Sequence, residues 1–267
     1  MPARPSPAAA LAALAISLTA ACSKDSSGPA SPNAGGWSGS TSQSRPAHFL
    51  VANGGVVIAV ISFQVVGTVC TDDVLLILGR DPSATPYTLS GNTLTVTTAG
   101  SAGSLTFTGT ISGTTASGTL TVNAVACNGT GNFTWSATKA TGAELSVAGN
   151  WDGTFESNLL TQTPGALSLS QSGTAVTGTY ATAAGGGGTV NATVSGRMAT
   201  FRLNQTTSGC TGRYDGYATV VPIPGAEDLV YFYSGQDCLG THTDGFGVGQ
   251  KVPLRATRAL PRLAFEY

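Results

Sequence analysis

Residues 165–180 read GALSLSQSGTAVTGTY. Leu167, Leu169 and, past a turn, Val176 and Tyr180 are separated by Ser, Thr and Gly. Apolar and polar residues alternate with period two, the mark of a half-buried strand. Ser172-Gly173 sits between the two runs, and Gly supplies the positive φ that a tight hairpin requires. The stretch is therefore a β-hairpin with one apolar face, and the same unit recurs outward in both directions.

Upstream and downstream lie further explicit turns, at Asn53-Gly54, Ser90-Gly91, Ser112-Gly113 and Ser195-Gly196. Short strands rich in Thr, Val, Leu, Phe and Tyr fill the gaps, at the spacing of a sandwich or barrel. No segment beyond residue 37 carries a helical period. The chain is read as all-β, with two small antiparallel modules. A break falls at 139–148, and each side opens on a Trp followed by Gly, GGWSGSTS at Trp37 and GNWDGTFES at Trp151.

The second module (149–254) is read as eight consecutive strands: 150–157, 165–171, 174–181, 188–195, 198–204, 212–221, 228–234 and 240–249. Short connections make neighbours antiparallel, and eight such strands close into an up-and-down barrel without exposed edges. The first module (37–139) is less regular, with candidate strands at 47–52, 56–66, 74–78, 93–97, 103–111, 116–123 and 132–138.

Residues 1–22, MPARPSPAAALAALAISLTAAC, have a positive start at Arg4, an uncharged apolar run and small residues before Cys22. The run is shorter than the roughly 20 residues of a membrane-spanning helix and matches an export signal. Thr19-Ala20-Ala21-Cys22 resembles the lipobox of bacterial lipoproteins, with Thr19 where that pattern usually has Leu. The resemblance implies cleavage after residue 21, acylation of Cys22, and residence in the bacterial cell envelope at the outer membrane. Several acyl chains would then anchor the protein, since one binds only marginally. Residues 22–36 form a Ser/Gly/Pro tether, and 255–267 a basic tail with Arg255, Arg258 and Arg262.

Of 5 cysteines, removing Cys22 leaves an even four in an oxidising compartment. Cys210 and Cys238 are equidistant from Pro224. A hairpin turning there sets them across from each other, with Cα atoms at about 5.5 Å or less, within disulfide range. Cys70 and Cys127 form the remaining pair.

NWDGTFES (150–157) followed by 165–203, strand, Ser-Gly turn and strand repeated, resembles the lipocalin-like barrel domains of bacterial lipoproteins. Gly149-Asn150-Trp151 and Thr177-Gly178-Thr179-Tyr180 are also similar to two avidin strands. Avidins surround biotin with several tryptophans, however, and this module has only Trp151. The C-x-G-x-G-x-x-x-W-x-A strand from Cys127 to Ala137 resembles that of another bacterial extracellular β module and carries no activity with it.

Charged residues are 9% of the 267, and the net charge is −1, without the basic excess of a nucleic-acid binder. The two histidines, His48 and His242, fall in different modules without metal-ligand spacing, and are read as surface or rim residues. No thiol is left for zinc once the bridges form, and no cofactor is expected. Gly-x-Ser-x-Gly does not occur, and a Ser-His-Asp set cannot be selected from spacing. Asp237 and Asp244 are read as turn caps. Tyr214, Tyr217, Tyr231, Phe232 and Tyr233 cluster on two adjacent strands. Either inward rings line a cavity for a small apolar or sugar-like ligand, with Trp151, Tyr214, Tyr231 and Tyr233 as its candidates, or they fill the barrel. The expected protein is a membrane-anchored, non-catalytic binder of a small molecule or an envelope partner. The alternatives are a structural or adhesive surface protein and a barrel-type proteinase inhibitor.

Overall fold

The computed structural model describes residues 31–68, 71–100, 103–124, 128–207, 209–223, 226–252 and 263–266. Cys22, Cys70 and Cys127 lie outside them. The described chain is all strand and turn. In the first half run β1 (Gly35–Thr41), β2 (Pro46–Ala52), β3 (Gly55–Val66), β4 (Thr71–Gly79), β5 (Tyr87–Ser90), β6 (Thr93–Gly100), β7 (Gly103–Ser112), β8 (Thr115–Ala124) and β9 (Gly129–Lys139). The second half holds β10 (Gly149–Glu156), β11 (Thr163–Ser172), β12 (Ala175–Thr182), β13 (Gly187–Ser195), β14 (Met198–Gln205), β15 (Gly212–Ile223), β16 (Ala226–Asp237) and β17 (Gly240–Lys251), and β18 (Leu263–Glu266) follows.

Strands β10 to β17 pair in chain order, and β17 returns to β10, closing an eight-stranded up-and-down barrel. All eight strands read from the sequence are present. The first half also closes. β9 pairs with β1, and β3 meets β5 through two residue pairs, Gly55 with Thr88 and Val56 with Tyr87. Eight strands form that ring while β4 hangs outside it on β3, and β18 adds to β4 in parallel. Two strands here escape the alternation reading. β1 is dominated by Gly and Ser around Trp37, and β5 is only four residues long.

The two rings begin alike. Trp37 and Trp151 are each fully buried. Each indole N–H donates to the carbonyl oxygen four residues earlier, Asn33 at 3.0 Å and Val147 at 2.9 Å. Two residues after each Trp stands a Gly. A Cβ there would lie 1.8 Å from the Ser136 oxygen at Gly39, and 2.0 Å from the Val248 oxygen at Gly153. The segment joining the rings is itself packed. Leu145 and Val147 belong to the second core. Gln171 pins both, accepting from the Val147 amide at 2.8 Å and donating to the Leu145 carbonyl at 2.9 Å.

The rings share a buried seam, and residues 31–267 cluster as one compact unit. Its residues are Leu50, Val57, Ile58 and Val60 from the first ring's outer face, Ile77 from β4 beside it, and Met198, Tyr217, Val221, Val230, Phe232 and Phe246 from the second ring. A bulge makes β3 fit both sides. Leu50 pairs with Ile58 and Val51 with Val56, so Val57 is extra. One extra residue breaks the alternation. Val57 and Ile58 both face the seam, while Val56, Ala59, Ile61, Phe63 and Val65 face the first core. Gly79 is required for close approach, since a Cβ there would lie 2.0 Å from the Phe232 ring. Asn53 Nδ2 donates to the Tyr217 hydroxyl across the seam at 2.8 Å.

Candidate functional site

The interior of the second ring is polarised along its axis. At the Trp151 end and through the middle it is apolar. Leu167, Val190, Phe201 and Tyr231 leave a gap of only about 40 Å³, far below the volume of an ordinary ligand pocket. At the other end, where β10 runs out at Glu156, a cavity of about 240 Å³ opens. Phe155, Tyr180, Tyr214 and Tyr233 wall it. Loop residues Gly185 and Gly186, Leu160, Leu239 and the Cys210–Cys238 bridge form its rim.

Strand parity puts these side chains there. On β16 Leu229, Tyr231 and Tyr233 point inward and Val230 and Phe232 point to the seam. Asp237 continues the inward series. Tyr214 is inward and Tyr217 outward for the same reason. The candidates therefore separate. Tyr214 and Tyr233 line the cavity. Tyr231 lies deeper and donates its hydroxyl to the Thr154 carbonyl at 2.6 Å. Trp151 lies near the opposite end, with Lys251 Nζ 5.3 Å from its ring centre.

The Cys210–Cys238 bridge is present, with Cα atoms 5.3 Å apart. The hairpin is off by half a residue from the expected symmetry. Ile223 pairs with Ala226 and Arg213 with Gln236, so the cysteines lie just beyond the paired strands, one step out of register. Asp237 lies beside the two sulfurs. They are bonded to each other and offer no thiolate set for a metal.

His242 is not at the surface. It is fully buried, and a bulge is the reason. Tyr233 pairs with Gly245 but Gly235 with His242, so β17 carries one residue more than β16 across this step. Asp244 sits there with φ 54°. Without the extra residue His242 would share the outward face of Phe246. With it, the imidazole turns inward against the Tyr214 ring, centroids 5.2 Å apart.

A polar chain results. Ser157 Oγ lies 3.0 Å from His242 Nδ1, His242 Nε2 lies 3.0 Å from Asp237 Oδ1, and the Tyr214 hydroxyl donates to Asp237 Oδ2 at 2.6 Å. Burial works against the Asp237 charge. Donors from Tyr214, the Leu239 amide and His242 outweigh it and hold the carboxyl below its ordinary range. Burial, then the field of Asp237, pushes Tyr180 up to about 12. Burial, then the bond to Asp237, raises Tyr214 further.

Ser157, His242 and Asp237 have the composition of a nucleophile chain, but Ser157 is occupied. Its oxygen accepts the amides of Leu159 and Leu160, both at 3.2 Å, and it is not among the lining residues. With both lone pairs committed, the hydroxyl caps the 157–160 turn. Sequence reading missed Tyr180, Gln205 and the Ser157–His242 link. Inward parity from Val176 to Tyr180, and from Leu203 to Gln205, carried a signal for the first two.

His48 is half-buried in a groove of about 300 Å³ between the rings, with Val60, Leu75, Arg197 and Pro222. Burial, then Arg197, lowers its pKa to about 4.

No family model and no curated protein matches the chain. Among solved structures, it is similar to a protein of unknown function from the DUF3598 family of Nostoc punctiforme PCC 73102. That match has TM-score 0.27 and 10% identity, over 82% of this chain and 96% of that one. It is also similar to intact Ap-TbpB with its N and C lobes, at TM-score 0.22 and 14% identity, over 79% of this chain and 55% of that one. Superpositions this loose carry no conclusion about ligand or partner.

Proposed function

We propose that this protein is a lipid-anchored component of the bacterial cell envelope, held at the outer membrane through Cys22, whose second barrel binds a small molecule without transforming it. The observation that carries the binding role is the cavity at the barrel mouth. It has a volume of about 240 Å³, and the Tyr180 hydroxyl at it is buried without a hydrogen-bond partner among the described residues. An unpaired buried hydroxyl costs about 1–3 kcal/mol, a cost that a bound ligand would remove. The volume is somewhat below the roughly 300 Å³ of ordinary ligand pockets, which restricts the ligand to a small one. The anchor rests on the sequence around Cys22 and on the tether that follows it.

Native mass spectrometry of the protein purified from its host tests the binding role. A co-purifying small mass is expected, lost in Tyr233→Trp, whose larger ring occupies the cavity. A clean unliganded mass favours the second reading, a structural or adhesive surface protein, which the narrow interior below the cavity supports. Labelled palmitate incorporated by the native chain and not by Cys22→Ser tests the anchor.

A further inference from the structure

The charge around the mouth cavity is one-sided. Among the described residues, no Lys, Arg or His lines it, and the one carboxylate that does is Asp237. That carboxylate is 4% exposed, and its ion-pairing group among the described residues is His242.

His242, fully buried, does not line the cavity. Asp237 stands between it and the cavity, so the charged group that the wall presents to a ligand is this carboxylate. The field reaches Tyr180, whose ionisation Asp237 opposes in addition to burial. Glu156, next to Phe155 on β10, adds to it at Tyr233.

The remaining wall suits a positive guest. Phe155 packs 6.1 Å from Tyr180 and 6.2 Å from Tyr233, and Tyr214 packs 5.9 Å from Tyr233, centroid to centroid. Aromatic faces are electronegative and attract ammonium groups. The Tyr180 hydroxyl is buried, with its residue 6% exposed, and has no hydrogen-bond partner among the described residues. Together with Asp237 it offers acceptors for an N–H-bearing cation.

We infer that the mouth cavity of the second barrel is a site for a small organic cation, a primary ammonium group presented on a short apolar stem. The inference rests on the small-molecule reading above and names the ligand class within it. An anionic ligand would meet the Asp237 field without a countercharge. A neutral sugar would gain nothing from it.

Calorimetric titration of the purified protein at pH 7 with four probes of one shape tests this: benzylamine, benzyltrimethylammonium, benzyl alcohol and benzoate. Benzylamine is expected to bind saturably and at least about tenfold more tightly than benzyl alcohol, a difference of about 1.4 kcal/mol, and benzoate not at all. Asp237→Asn is expected to abolish the preference for benzylamine over benzyl alcohol. Tyr180→Phe keeps the ring and the fold, and is expected to weaken benzylamine about fivefold, the worth of one hydrogen bond, and benzyl alcohol less, because a bond from a charged donor is the stronger. This variant decides the matter if Asp237→Asn does not fold. Benzyl alcohol binding as tightly as benzylamine would overturn the cation inference and leave small-molecule binding standing. Benzyltrimethylammonium binding as tightly as benzylamine would overturn the part played by N–H donors. Absence of saturable binding by all four probes would overturn the small-molecule reading together with the inference.

Discussion

Trp37 in the first barrel and Trp151 in the second hold the same place, with the same N–H bond and the same glycine two residues on, yet the interiors beyond them diverge. In the first barrel Phe49 stacks on Trp37 and meets Phe107 and Trp135 edge-on, and Phe107 lies 4.6 Å from Trp135. These rings fit against one another. In the second barrel the rings toward the mouth are Tyr180, Tyr214 and Tyr233, whose hydroxyls need partners. That of Tyr214 finds Asp237, and that of Tyr180 finds none among the described residues. The frame is shared. What differs toward the mouth of the second is a few oxygen atoms on rings of nearly equal size.

The comparison can be broken at its strongest point. Trp37→Ala and Trp151→Ala are each expected to cost about 3–5 kcal/mol in denaturant unfolding, the usual range for a buried Trp. Equal losses support a shared frame, and a loss at only one position would end the analogy. Next in size is the bridge, which belongs to the second barrel. Replacing Cys210 and Cys238 with Ser, 28 residues apart, is expected to lower stability by about 3–4 kcal/mol on the chain-entropy relation. Hydrogen exchange should increase first in the loops around the mouth and leave the first barrel protected.

The groove between the barrels gives a smaller effect with a defined sign. His48 has a folded pKa of about 4 against an ordinary 6.5. Between those values the unfolded chain binds a proton that the folded one refuses. Stability is therefore full above pH 6.5 and declines as the pH falls toward 4. After allowance for partial exposure, the decline is about 2 kcal/mol. His48→Gln should flatten that slope in unfolding measured from pH 7 to pH 4. The smallest change sharpens the comparison most. Tyr180→Phe brings the second barrel's chemistry toward that of the first, and its melting temperature should stay level or rise, because the hydroxyl it removes has no partner among the described residues. A clear drop would show that the oxygen is stabilising after all.

Period-two alternation made the second barrel legible almost strand by strand, because β11 to β14 each bury one face and wet the other. It failed where a strand is buried on both faces or carries an extra residue. Residues 56–61 of β3, VVIAVI, are uniformly apolar, so nothing in them marks which side chains face the first core and which the seam; alternation resumes only at Ser62 and Gln64, and the bulge at Val57 leaves no compositional trace. The mouth site was half legible. Parity placed Tyr214 and Tyr233 inward, and symmetry about the turn found the Cys210–Cys238 bridge within one residue. His242 was lost because its direction depends on the bulge beside Asp244, which local sequence does not announce. Ser157 was lost because its partner lies 85 residues away.

The doubly buried strand also limits how this protein can be taken apart or have arisen. Cutting at 140–148 would leave Leu50, Val57, Ile58, Val60 and Ile77 facing water on one piece, and Met198, Phe232 and Phe246 on the other. Apolar patches of that extent drive self-association. The halves are thus a pair of lodgings with one party wall. Neither could be lent to another chain by recombination without its neighbour, and deletion of either would strand the other in the insoluble fraction.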